Sequence, residues 1–97
     1  MTLHTLNKSP AESRAMQDCL TGLSAGDAII LIENGVYAAL NSYAQQFAVL
    51  DPSVELYVLS ADLEARGLSM LNPRFQPADY DQFVALSCQH DKVVSWF

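Results

Sequence analysis

Ala28-Ile29-Ile30-Leu31-Ile32 is the stretch whose reading decides the fold. Gly26-Asp27 precede it and Glu33-Asn34-Gly35 follow it. An apolar run this short, bounded by turn residues on both sides, reads as a strand rather than a helix. It shows no alternation of polar and apolar positions. A strand apolar on both faces belongs inside a parallel sheet that helices cover on each side.

Working outward, the flanking segments supply the alternation such a sheet needs. Thr2 to Leu6 is apolar and β-branched and reads as a first strand. Ser9-Pro10-Ala11-Glu12 follows. Ser9 suits an N-cap, Pro10 the first helical position and Glu12 the third, so a helix is predicted from here to about Leu23. Ala15, Met16, Cys19, Leu20 and Leu23 recur on one face of it, and Gly22 and Gly26 end it. Beyond the central strand, the Asn34-Gly35 turn leads into a short helix from Val36 to Leu40. Asn41 to Leu50 reads either as helix or as an irregular crossover. Asp51-Pro52-Ser53 is a turn, and Val54 to Leu59 a third strand. Ser60 is placed to cap a helix from Ala61 to Arg66, closed by Gly67. Ser69 to Pro77 reads as a loop with a short strand near Phe75. Asp79 and Gln82 form a second cap pair, opening a helix to about Gln89 with Tyr80, Phe83, Val84 and Ser87 on its inner face. Val93 to Phe97 is a last strand. The expectation is one α/β domain spanning residues 1–97: three layers, α/β/α, around a mostly parallel sheet of about five strands.

The chain has 97 residues, too few for a second core. Hydrophobic residues make up 51% and charged residues only 16%; about 25% charged is usual. So few charges leave apolar surface uncovered, which points to a partner or to self-association. A net charge of −6, with five Lys and Arg in all, argues against direct nucleic-acid contact. No apolar run reaches the roughly 18–20 residues of a membrane span, and the start of the chain lacks a signal-peptide pattern. Two cysteines do not make a disulfide scaffold. A cytoplasmic protein with reduced thiols is expected.

No general catalytic motif is present, and four glycines cannot build a glycine-rich phosphate cradle. No cofactor is expected. Cys88 and His90 are two positions apart and do not share a helix face, so no metal site is expected either. Cys19 has two readings. As a thiolate it would accept and pass on sulfane sulfur. As a neighbour of Met16, Leu20 and Leu23 in the inward stripe, and in the second half of its helix where the dipole disfavours a thiolate, it is a small core residue. Cys88 reads as structural. His4 on a strand reads as a satisfied core or interface histidine, and His90 suits a helix C-terminus. Asp62 and Glu64 point to different faces and read as solvated charges. Tyr37, Trp96 and Phe97 are candidate interface anchors. They present large apolar area with few rotors, Tyr37 beside the loops that leave the strand ends.

Several segments together follow one family's pattern. They are Leu3-His4-Thr5-Leu6-Asn7-Lys8-Ser9-Pro10, Glu33-Asn34-Gly35-Val36-Tyr37-Ala38-Ala39, and Leu56-Tyr57-Val58-Leu59 leading to Asp62-Leu63-Glu64-Ala65-Arg66-Gly67. Asp79-Tyr80-Asp81-Gln82-Phe83-Val84 and the closing Trp96 complete the set. In this order and spacing the chain resembles the TusB/DsrH family of sulfur-relay subunits over essentially its whole length. The resemblance implies a DsrE-like three-layer fold and a heteromeric complex with TusC/DsrF-like and TusD/DsrE-like paralogues. It implies that the main sulfur-carrying cysteine belongs to the TusD/DsrE-like partner. In one branch the complex relays persulfide sulfur toward 2-thiouridine at the tRNA wobble position; in the other it serves cytoplasmic sulfur oxidation. DsrH-type members carry a cysteine in the first helix, where Cys19 falls, which would make Cys19 a relay thiol in that branch.

Overall fold

A computed structural model describes residues 1–97. One sheet of five strands runs through it in the order β4-β3-β2-β1-β5. The strands are β1 (Thr2–Leu6), β2 (Ala28–Leu31), β3 (Glu55–Leu59), β4 (Phe75–Ala78) and β5 (Lys92–Trp96). Every neighbouring pair is parallel, so the sheet is wholly rather than mostly parallel. The helices are α1 (Ala15–Thr21), α2 (Ala44–Ala48), α3 (Ser60–Ala65) and α4 (Tyr80–Gln89). Two 3-10 helices, Glu33–Ala39 and Asn41–Tyr43, complete the β2–β3 crossover.

The topology explains why the two faces are so unequal. From β1 to β4 each strand is laid beside the last in one direction, so crossovers of one hand land on one face. The β4–β5 connection returns across the whole sheet and lands on the other. Accordingly α1, α2 and α3 bury Met16, Cys19, Phe47 and Leu63 with Leu6, Ile29, Leu31, Leu56 and Val58 in a cluster of 15 residues. α4 alone covers the opposite face, where Leu86 meets a cluster of five with Leu3, Ala28, Ile30 and Ala78. β2 is buried at all four positions, as its uninterrupted apolar run requires.

Gly35 is demanded by packing. Its backbone lies so close to the end of β1 that a Cβ would collide with the Leu6 carbonyl. Gly67 closes α3 at φ +59°, the left-handed C′ conformation expected there.

Boundaries differ from expectation in instructive places. α1 starts at Ala15, not at Pro10. The Ser9 amide does donate to Glu12 Oε1 at 2.9 Å, but the Glu12 amide returns to the Ser9 carbonyl, closing a turn. Pro10 serves a turn as readily as a first helical position, and the Ser13 hydroxyl accepts the Ala15 amide at the true start. α1 also stops at Thr21, before Leu23. The expected Val36–Leu40 helix is 3-10 and already begins at Glu33; the ambiguous Asn41–Leu50 segment contains a 3-10 turn and α2. Ser60 is the first residue of α3 and makes no side-chain cap bond. The strand near Phe75 exists as β4 and contains Pro77. At α4 both halves of the Asp79–Gln82 capping box form, each at 2.8 Å. The expected inner face of α4 is rotated: Tyr80 and Val84 are 61% and 63% exposed, and Leu86 with Phe83 faces the sheet. A helix that covers a five-strand face alone has no flanking helices to bury its sides.

Candidate functional site

Cys19 is completely buried in the large cluster. Burial, with a smaller contribution from the Asp27 charge, pushes its thiol up to about 12. A thiol held protonated is a poor nucleophile. Cys88 is free and exposed on α4, in the opposite layer. The two thiols therefore do not meet, and no group of three or more His, Cys, Asp or Glu is placed to hold a metal ion.

What the fold does bring together is His4, Asp27 and Trp96. In β1, His4 shares a face with Leu6; in the register with β5 they stand beside Val94 and Trp96. The Trp96 Nε1–H donates to His4 Nδ1 at 3.0 Å. An indole nitrogen only donates, so Nδ1 must be the unprotonated acceptor. The proton then sits on Nε2, which reaches Asp27 Oδ2 at 2.9 Å. The imidazole is thus the neutral Nε2–H tautomer, lying edge to edge with the indole, ring centroids 6.1 Å apart and 23° between planes. Asp27 also accepts the amides of Thr2 and Ser24 at 3.0 and 3.1 Å. Its burial opposes ionisation, but the His4 side chain and these two amides outweigh that and hold the carboxyl below its usual range. A cleft of about 540 Å³ opens beside the network, with Gly22, Ser24 and Lys92 among its walls. Both histidine nitrogens are taken, so His4 has no free lone pair with which to act as a base. The network fastens the edge strand β5 to β1 and to the start of β2.

A second constellation lies where the strands end. Glu33 adopts φ +49°, and its amide donates to Asp62 Oδ2 at 2.7 Å. Arg66 holds Asn34 Oδ1 through Nε at 3.1 Å and Nη2 at 2.9 Å, and lies 3.6 Å from Asp62. Asp62 is thus a loop clamp, not the solvated charge expected; the i,i+4 spacing of Asp62 and Arg66 was the available signal. Tyr37, on the 3-10 helix that follows, is half-buried and is not among the side chains packed on either cluster. Trp96 is half-buried with its polar handle spent on His4, whereas Phe97 is 70% exposed. Of the anchors expected from sequence, Tyr37 and Phe97 keep free surface and Trp96 faces inward. The role of Asp27 was missed, because nothing local marks a residue before a strand as the acceptor for a histidine 23 positions away.

Comparison with known proteins places this geometry in a lineage. The DsrH family profile, described as "DsrH like protein", matches residues 8–93. The chain is 39% identical over 95 residues to "Protein TusB" of Erwinia tasmaniensis, covering 97% of this chain and 99% of that one. The chain belongs to the TusB/DsrH family. "Protein TusB" of Pectobacterium parmentieri is 36% identical over the same length and coverage. Among solved structures, the E. coli ychN protein superposes with a TM-score of 0.75 at 16% identity, covering 97% of each chain. That likeness confirms the DsrE-like fold expected from the sequence. No helix is long and apolar enough to cross a membrane.

Proposed function

We propose that this TusB/DsrH-family chain is an accessory subunit of a cytoplasmic sulfur-relay complex serving 2-thiolation of the tRNA wobble uridine. It assembles with TusC/DsrF-like and TusD/DsrE-like paralogues, and the sulfur travels on a partner's cysteine. The observation that carries the reading is the alignment with TusB proteins over nearly the whole chain at 39% identity. The burial of Cys19 supports an accessory role, because a relay thiol must reach its donor as a thiolate. The same burial weighs against a DsrH-type role in sulfur oxidation with Cys19 as relay thiol. The acidic net charge of −6 supports leaving tRNA contact to the partners.

The test is complementation. In a bacterium lacking its own TusB, the wild-type chain is expected to restore 2-thiouridine in bulk tRNA, and Cys19→Ala to restore it equally. Failure of the wild-type chain to restore thiolation, even when its TusC/DsrF-like and TusD/DsrE-like paralogues are co-expressed with it, overturns the pathway assignment. Loss of function in a folded, assembled Cys19→Ala variant, with a persulfide mass adduct on wild-type Cys19, overturns the accessory role.

A further inference from the structure

His4, only 4% exposed, is enclosed between an acceptor and a donor. Asp27 Oδ2 lies 2.9 Å from Nε2, and the Trp96 Nε1–H donates to Nδ1 at 3.0 Å. This arrangement is complete only for a neutral ring. An added proton has one place to go, Nδ1, and there it meets the indole N–H. Two donors then face each other with no acceptor between them. His4 lines the cleft beside it, so water has a route to the ring.

The two partners of His4 are not held equally. Asp27 is fixed by the amides of Thr2 and Ser24 as well as by His4. A carboxylate so held keeps its charge and favours a positive ring beside it. Trp96 is the looser partner. It closes β5, which pairs with β1 alone, and its ring is half-buried. Its N–H makes one bond, to His4. The benzene edge of the indole lies over the end of α1, where a Cβ on Gly22 would stand 3.5 Å from Trp96 Cζ2. When His4 takes up a proton, the indole is therefore the group that moves.

We propose that the His4–Trp96 bond is a proton-operated latch: protonation of His4 releases the Trp96 indole and reshapes the cleft between the end of α1 and β5. Nδ1 gains a proton from solvent, and the indole N–H exchanges the imidazole nitrogen for water. Asp27 stays charged and becomes the partner of an imidazolium. The groups around His4 on each side are few. β2 sets Ile29 beside it in register, and β5 sets Val94. On α1 the titratable side chain turned to the sheet is Cys19, whose thiol is held protonated. Lys92 and the Met1 ammonium share the cleft and oppose a further positive charge, the ammonium being paired with Asp91 at 2.8 Å. Asp27 is thus the anion in contact that neutralises the ring. This inference does not depend on the sulfur-relay assignment.

The purified full chain tests it. Trp96 is the single tryptophan, so fluorescence under tryptophan-selective excitation reads this side chain. From about pH 8 to about pH 5, where histidine changes charge, emission is expected to shift to the red along a one-proton curve. Far-ultraviolet circular dichroism is expected to stay constant over that range. Nitrogen NMR is expected to show His4 passing from the Nε2–H tautomer to the doubly protonated ring. The indole N–H signal should lose its hydrogen-bonded position at the same midpoint. Asp27→Asn keeps an acceptor oxygen but removes the charge, so release is expected to need about tenfold more protons. His4→Gln removes the titrating group and is expected to abolish the red shift. His90→Gln, at the end of α4 where His90 meets the Leu86 carbonyl, is expected to leave it unchanged. Constant emission while His4 protonates overturns the proposal, as does a His4 that stays neutral until the chain unfolds. So does a red shift that survives His4→Gln, one that disappears with His90→Gln, or a midpoint that Asp27→Asn leaves in place. If His4→Gln does not fold, the two wild-type NMR midpoints decide: coincidence supports the latch, and separation overturns it.

Discussion

Cys19 and Asp27 show how burial sets the chemistry of single residues in this protein. Cys19 is fully enclosed and its thiol is pushed up to about 12. In the folded chain, iodoacetamide near pH 8 is expected to modify Cys88 and spare Cys19, with both modified after denaturation, as read by peptide mass. Modification of both at equal rates in the folded chain contradicts this. Cys19→Ala is expected to cost about 1 kcal/mol, the typical loss for a small buried group. Asp27 is held below its ordinary range despite its burial, by His4 and the amides of Thr2 and Ser24. A carboxyl depressed in the native state contributes stability above its unfolded value, near 3.9, and loses it as pH falls through the native value. Acid unfolding is therefore expected to steepen below about pH 4 in the wild type. The slope should flatten in Asp27→Asn, which carries no proton to take up; a variant with the same slope as the wild type shows that other carboxyls govern the acid limb. Trp96 fluorescence reports on the same network, because the indole N–H is hydrogen-bonded to His4.

At the scale of elements, two substitutions that look equally mild on paper should separate widely. Asp79→Ala removes one half of the α4 capping box, whose bond to the Gln82 amide is 2.8 Å. A cap of this kind contributes about 1 kcal/mol. Gly35→Ala adds a single methyl group, but against the Leu6 carbonyl at the end of β1. Backbone on both sides of that contact cannot yield without moving β1 or the 3-10 helix, so a loss above about 3 kcal/mol is expected. Urea melts of the two variants decide it, and a Gly35→Ala variant no less stable than Asp79→Ala means the crossover loop is free to shift. The same contrast explains α1. Its opening signal at Ser9–Glu12 was real chemistry, but the hydrogen bonds close a turn, and the helix waits until Ala15 where the chain reaches the large cluster. A capping motif reports a change of direction; packing decides whether a helix follows.

For the whole molecule, the uneven layering decides where partners can bind. Three helices and two 3-10 segments bury one face of the sheet, while α4 alone covers the other and leaves Tyr80 and Val84 exposed. The low charged fraction of 16% accordingly appears as apolar surface on α4, on β5 and at Phe97, while Tyr37 stays half-buried. Tyr37→Ala is expected to reduce co-purification with the TusC/DsrF-like and TusD/DsrE-like paralogues by the equivalent of about 2 kcal/mol, with little change in melting temperature. Trp96→Ala should do the reverse, lowering the melting temperature first, because its indole is bonded to His4 and packed on the large cluster. A Tyr37→Ala variant that melts lower but assembles normally places Tyr37 in the core and the interface elsewhere.

The fold class was legible because it rests on local patterns. The unbroken apolar run of β2 can be satisfied only by burial on both faces, and the spacing of strands and helices around it leaves a parallel three-layer sheet as the natural arrangement. The Asp79–Gln82 cap was legible for the same reason, since both partners lie within one turn. What only the tertiary structure decided are the contacts between residues far apart in the chain. His4 and Trp96 are 92 positions apart, and nothing in either neighbourhood announces that one will set the tautomer of the other. Asp62 looked like a surface charge until the fold placed the Glu33 amide 2.7 Å from it. Which face of α4 meets the sheet is likewise set by the sheet beneath it and not by the helix, which is why Leu86 and Phe83 lie inward while Tyr80 and Val84 lie out. Periodicity records how each segment partitions between apolar and aqueous surroundings. Which side chains then meet is set by strand order and register, and those are fixed only when the whole sheet closes its backbone hydrogen bonds.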